Sequence, residues 1–293
     1  MSTLKALRSR IKTVRSTQKI TTAMKLVSAA KLRRAQENLA SFKDYDHAFQ
    51  KTWNDILNTA YNDDIPDWLT TREDPSHGKR KLIIVWMSDR GLCGSYNATI
   101  ARAVRHGMAE DIRQFGRVDL LPIGLKAIDT LRRDYGKQFA ALLFPSREQK
   151  PSSCTLVNTT ATFLQNHLQE HLYTSVEVWY MRFENVLTQS LIKEELLINR
   201  HSEIHPGFPP LFEPNRKSVL ESIAPTYIKN SLRRAYIESQ TAEQSARMRA
   251  MDTATNNASD VLTRLHRTYN RTRQATITRE LIEIISGADS LKN

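Results

Sequence analysis

The stretch IKTVRSTQKITTAMKLVSAAKLRRAQ, Ile11 to Gln36, decides how the rest of the chain is read. It holds neither Gly nor Pro and is rich in residues that a helix accommodates, so it predicts unbroken helix. It also carries seven basic residues and no acid. A helix that stabilises its own surface places Asp or Glu three or four residues from Lys or Arg. Here the positive charge must face something outside the helix.

Working outward, the same absence of breakers holds over much longer spans. No Pro precedes Pro66 and no Gly precedes Gly78, and the 61 positions from Thr226 to Ser286 again contain neither. At the helical rise these 61 positions reach about 90 Å. Two such lengths at opposite ends of one chain predict a coiled coil. Leu4, Leu7, Ile11 and Val14 repeat at alternating steps of four and three, as do Ile277, Leu281, Ile284, Ala288 and Leu291. Between them the stripe of the first helix drifts to Ile20, Met24, Val27 and Ala30, among small residues that let two backbones approach closely. Each helix has one apolar seam and needs one partner, and the nearest partner is the opposite end of the chain, running antiparallel.

The middle of the chain has another rhythm. KLIIVWM (Lys81–Met87), VDLLPIG (Val118–Gly124) and VEVWYMRF (Val176–Phe183) are apolar runs of strand length, with helical patterns between them around Ile100–Phe115, Ala127–Tyr135 and Thr160–Tyr173. That alternation predicts an α/β unit with a largely parallel, Rossmann-like sheet. The expected organisation is α/β: a long antiparallel coiled coil of the N-terminal helix (1–60) and C-terminal helix (226–293), a central α/β domain (81–200), and linkers at 61–80 and 201–225.

The composition narrows the function. With 40% hydrophobic residues in 293, the chain has enough apolar material for a core. Its 43 Lys and Arg against 31 Asp and Glu leave a formal charge of +12, which attracts acidic partners. Cys93 and Cys154 are too few for a disulfide framework and fit no zinc spacing, and eight histidines are scattered without metal-ligand spacing, so no metal site is expected. No apolar run reaches the length of a membrane span.

Sites of catalysis are absent by the same reading. In SDRGLCGSYNATI (Ser88–Ile100), after the first strand, Gly91 and Gly94 lack the dinucleotide spacing. Cys93 has no evident base and reads as a small thiol in a tight turn. Gly78-Lys79-Arg80 and Gly136-Lys137-Gln138 lack the Ser or Thr of a phosphate loop, so no directly bound nucleotide and no cofactor are expected. In YNRTRQATITREL (Tyr269–Leu281), Arg273, Gln274 and Thr278 form a polar patch able to make directed hydrogen bonds to a partner.

The stretches TQKITTAMKLVSAAKLRRAQ, SDRGLCGSYN, SARMRAMDTATNNA and YNRTRQATITRELIEIISGA, in that order, resemble the γ subunit family of F-type ATP synthase. Ser95, where the family often has a second Gly, and Thr241-Ala242-Glu243 are minor departures. The resemblance implies a non-catalytic central rotor shaft whose paired helices turn inside a ring of three α and three β subunits. The α/β domain would then meet an ε-type subunit and the ion-driven ring of the membrane, peripherally on the cytoplasmic side of a bacterial inner membrane, with the mitochondrial matrix side as the less favoured alternative. It implies rotor contacts at Met24, Lys25, Arg33, Arg34, Arg247, Arg273, Gln274 and Thr278, and answers the charge question with acids supplied by the β subunits. A basic coiled coil that binds nucleic acid is the alternative, although no recognised nucleic-acid motif accompanies the charge.

Overall fold

The computed structural model describes residues 4–60, 64–71, 80–143, 152–198 and 212–290. Contacts divide the chain into two compact units, one of Met1–Ala29 with Arg247–Asn293 and the other of Ala30–Ala246.

The larger unit is built on a four-stranded sheet of β1 (Arg80–Trp86), β2 (Arg117–Ile123), β3 (Ser175–Phe183) and β4 (Gln189–Glu195), in the order β2-β1-β3-β4. β1 runs parallel to β2 and β3, and β4 runs antiparallel to β3. The first three strands are buried almost throughout, as the apolar runs predict. β4 is the strand that those runs do not reveal. Its sequence QSLIKEE is largely polar because it lies at the sheet edge, where Tyr180 donates to Glu194 and no residue of the strand is fully buried.

Alternate residues of the strands feed two cores. On one face Ile83, Val85, Leu120, Trp179 and Met181 pack with α2 (Tyr96–Phe115) and α3 (Leu125–Tyr135). On the other, Leu82, Ile84, Trp86, Val178 and Tyr180 meet α4 (Ser153–Gln169), together with Trp53 and Ile56 of the first helix and Leu220, Ile228 and Leu232 of the last. The arrangement is an α/β layering with mixed rather than purely parallel strands.

The sheet is pinned by a buried ionic centre. Lys81 Nζ donates to Asp111 at 2.8 Å and to Glu177 at 2.7 Å, and the other Glu177 oxygen accepts from Trp179 Nε1 at 2.7 Å. Burial by itself pulls the Lys81 ammonium down, but the two carboxylates outweigh it and hold its pKa above the ordinary value.

The first helix, α1, spans Leu4–Thr59, and the last, α5, spans Arg216–Ser290. α5 thus begins ten residues before the expected Thr226 and carries Pro225 within it. Proline costs a helix interior about 3 kcal/mol. Leu220, Ala224, Ile228 and Leu232, four residues apart and fully buried, offset that cost on one face. The described part of the 61–80 segment is also packed rather than a free linker. Leu69 is wholly buried, and Thr70 bridges to Ile198.

Candidate functional site on the paired terminal helices

In the smaller unit α1 and α5 run antiparallel. Arg8 donates to Tyr269, Arg15 lies 3.3 Å from His266 Nε2, Thr255 donates to Thr21 at 2.8 Å, and Lys25 pairs with Asp252 at 2.6 Å. The seam of α1 runs through Leu7, Ile11, Val14, Gln18, Thr21, Lys25 and Ser28, at unbroken steps of three and four. That of α5 runs through Met251, Thr255, Ala258, Leu262, Leu265, Tyr269, Thr272 and Thr276.

Two sequence expectations are corrected here. The stripe Ile20, Met24, Val27 and Ala30 is not the seam. Ile20, Val27 and Ala30 are exposed and Met24 is half-buried, while Thr21 and Ser28, one residue further on, are buried, Ser28 to 2%. Small polar side chains in the seam let the two backbones approach closely; the Thr21 hydroxyl accepts from Thr255 across the pair and donates back to the Gln18 carbonyl at 3.0 Å, and the larger aliphatics are turned outward.

The C-terminal seam is corrected as well. Ile277, Leu281 and Ile284 are 47%, 53% and 68% exposed. The crossing bonds from Arg8 and Arg15 set a register in which the first described turn of α1 lies opposite the turn around Arg273, so later residues of α5 have no described α1 residue to pack against. Leu4 is half-buried at that end, and Leu291 lies outside the described residues. With Ile282 and Ile285, also exposed, the overhang presents an apolar surface on several sides of the helix.

The remaining contact residues divide into three groups. Arg273, Gln274 and Thr278 are exposed, and none has a hydrogen-bonding or ionic partner among the described residues. Lys25 is engaged by Asp252, and Arg33, in the larger unit, by Glu37 four residues on at 3.2 Å, whereas Arg34 is exposed. Arg247 is only 8% exposed, which corrects its place in the set: it is part of the packing and not a free cation. Of the seven basic residues in Ile11–Gln36, Lys12, Lys19, Lys31 and Arg34 stay exposed without an acid among the described residues.

Asp252, Thr255, His266 and Tyr269 are the residues that sequence reading missed. Thr255 and Tyr269 lie in the seam, and Asp252 and His266 stand one residue beside it, so their only signal was a polar type in or next to the seam opposite Thr21, Arg8, Lys25 and Arg15.

The loop after β1 forms a closed polar turn. Asn97 Nδ2 donates to Ser88 Oγ at 2.7 Å and to Cys93 Sγ at 3.2 Å, Ser88 Oγ donates to the Arg90 carbonyl at 2.7 Å, and Asp89 accepts from the Leu125 amide at 3.2 Å. Gly124 is required there. Its φ is +98°, and a Cβ would lie 2.2 Å from the Met87 carbonyl oxygen. Cys93 is buried, and His106 is exposed on α2. Among the described residues no group of His, Cys, Asp or Glu is arranged to hold a metal, and no helix is long and apolar enough to cross a membrane.

Known proteins resemble this chain over its full extent. The family model described as ATP synthase matches residues 3–291. A protein of Geobacter sp. (strain M21) named ATP synthase gamma chain is 35% identical over 301 residues, covering 100% of both chains. One of the same name from Pelagibacter ubique is 36% identical over 299 residues, covering 99% of this chain and 100% of its own. Among solved structures, a chain of the Euglena gracilis mitochondrial ATP synthase (OSCP/F1/c-ring, rotational state 3) shares the fold with a TM-score of 0.69 at 17% identity, covering 99% of this chain and 94% of that one. A chain of the Tetrahymena thermophila mitochondrial ATP synthase (central stalk/c-ring) has a TM-score of 0.57 at 24% identity, covering 80% and 99%.

Proposed function

Because the chain belongs to the ATP synthase gamma family, we propose that it is the central rotor of an ion-driven ATP synthase, carrying torque between a membrane ring and a hexamer of α and β subunits. It performs no bond chemistry of its own. The nucleotide sites belong to the hexamer, on the cytoplasmic face of a bacterial inner membrane, and an ε-type subunit joins the α/β domain.

The observation that carries this reading is the bare end of α5. Ile277, Leu281, Ile282, Ile284 and Ile285 are exposed around the helix, beside Arg273, Gln274 and Thr278, which have no partner among the described residues. An apolar helix tip in water is costly unless a partner surrounds it. A collar of aliphatic side chains suits a turning shaft, because apolar contact is non-directional and holds no single orientation strongly. The polar patch adds the opposite quality, directed bonds made in some orientations and released in others. The cations Lys12, Lys19, Lys31 and Arg34 face acids of the surrounding subunits, an attraction that falls off gently with distance and so resists rotation less than interlocking side chains do. No observation favours a nucleic-acid reading of the same charge.

The test is purification of the tagged chain from detergent-treated membranes. Recovery of α, β, a small ε-type subunit and the membrane ring, with ATP hydrolysis in the recovered complex, is the expected result. A chain recovered alone, or bound to duplex DNA at physiological salt, overturns the proposal.

A further inference from the structure

We propose that the cleft between α1, α4 and α5 in the larger unit is a binding site for a small organic phosphate monoester. The cleft measures about 530 Å³ and continues into a second pocket of about 260 Å³, the two sharing Asn158 and Lys229. It lies in the size range of small-molecule sites.

Charge is the first argument. Lys229 and Arg233 stand four residues apart on α5 and therefore on one face of the helix, and both line the cleft. Among the described residues, none that lines it is acidic and neither cation has an acidic partner. The contrast with Arg234, one residue further on, is informative. Its guanidinium is held by Asp46 at 2.9 Å and by Glu194. The fold neutralises the cation that it buries and leaves the two at the cleft available. Arg233 is not free to wander, because its guanidinium lies 5.1 Å over the Phe42 ring, which presents its donors along the cleft wall. A lysine and an arginine one turn apart match a phosphate, with the arginine supplying a planar fork.

The lining adds to the charge. Phe42, Tyr45 and Tyr236 give the rest of the cleft an aromatic surface suited to the body of a sugar or another ring, while the phosphate meets the cations. The cleft is much larger than a lone phosphate needs, and this favours an organic ester over the inorganic ion.

The experiment is calorimetric titration of the full-length chain with ribose 5-phosphate, inorganic phosphate and ribose in turn. Saturable binding of ribose 5-phosphate with a Kd of about 1 mM or tighter is expected. Lys229→Ala and Arg233→Ala should each weaken it roughly tenfold or more, while Arg132→Ala, at an exposed cation elsewhere, leaves it unchanged. If inorganic phosphate binds as tightly as the ester with the same dependence on Lys229 and Arg233, free phosphate is the source and the anion site stands. No saturable binding, equal binding of ribose and its phosphate, or equal losses in all three cation variants overturns the proposal, as does tight binding of polyglutamate where no phosphate compound binds.

Discussion

Lys25 Nζ lies 2.6 Å from Asp252 Oδ1, a bridge from the first helix to the last within the smaller unit. It sits one turn beyond the Thr21–Thr255 hydroxyl contact, so the polar rung of the seam is continuous at the place where the apolar pattern of α1 fades. The acids that the basic stretch lacks in its own sequence are therefore supplied from within the chain at Lys25, by Asp252, and at Arg33, by Glu37, and the outward cations are left for partners.

Both side chains of that bridge are half exposed, so it contributes little to stability. Asp252→Ala should lower the unfolding free energy by less than about 1 kcal/mol, and a double-mutant cycle with Lys25→Ala in urea denaturation measures the coupling. A coupling well above that bound would mean the rung is shielded from water by more than the two helices.

Lys81 is a different case, because it is almost fully buried between two acids. Lys81→Met strands Asp111 and Glu177 and should cost about 3–5 kcal/mol. The Lys81 pKa is raised in the folded state, so its stabilisation is fully present below the unfolded value of about 10.5 and is lost as pH rises through the folded value. Stability curves of the two proteins should therefore run parallel through neutral pH and converge only in strong alkali. Convergence near neutrality contradicts this assignment.

Gly107 of α2 faces the indole of Trp179, and a Cβ there would stand 2.5 Å from the ring's Cη2. The ring has no room to retreat. It is wholly buried, bonded to Glu177, and has the Lys193 ammonium 4.0 Å from its centroid. Gly107→Ala should destabilise by about 1–3 kcal/mol through overpacking, despite alanine's better helix propensity. A variant as stable as the parent in guanidinium titration would show that Trp179 can shift.

Leu281→Asp separates two accounts of the α5 tip. Leu281 is exposed in the chain by itself, so the isolated variant should unfold within about 0.5 kcal/mol of the parent. If an apolar collar surrounds the tip in the complex, the same variant should assemble poorly or turn over slowly. Normal assembly and turnover would remove the collar from the proposed mechanism.

Arg273→Ala and Gln274→Ala should leave the melting temperature of the complex unchanged, since neither side chain has a partner among the described residues. They should lower steady-state ATP turnover several-fold. A contact made in only some rotary states changes the barrier between states more than the stability of any one. Turnover within twofold of the parent for both variants would leave these side chains as a solvated face.

Much of this molecule is legible in one dimension. The two long helices follow from the absence of Gly and Pro, and three strands from apolar runs that only a covered sheet can accept. The exposed trio Arg273, Gln274 and Thr278 is readable as a polar patch because Arg273 and Gln274 lie five and four residues before Thr278 on one helix. Tertiary structure decided the rest, wherever burial came from partners distant in sequence. Ser28 and Thr21, not Val27 and Ile20, face the other helix because close backbones select for size over hydrophobicity. Pro225 lies inside a helix because four buried residues on one face outweigh its cost. β4 exists because β3 offers it an edge. Whether Ile277, Leu281 and Ile284 form a seam within the chain depends on how far α5 runs past the start of α1, a register that their spacing alone does not encode.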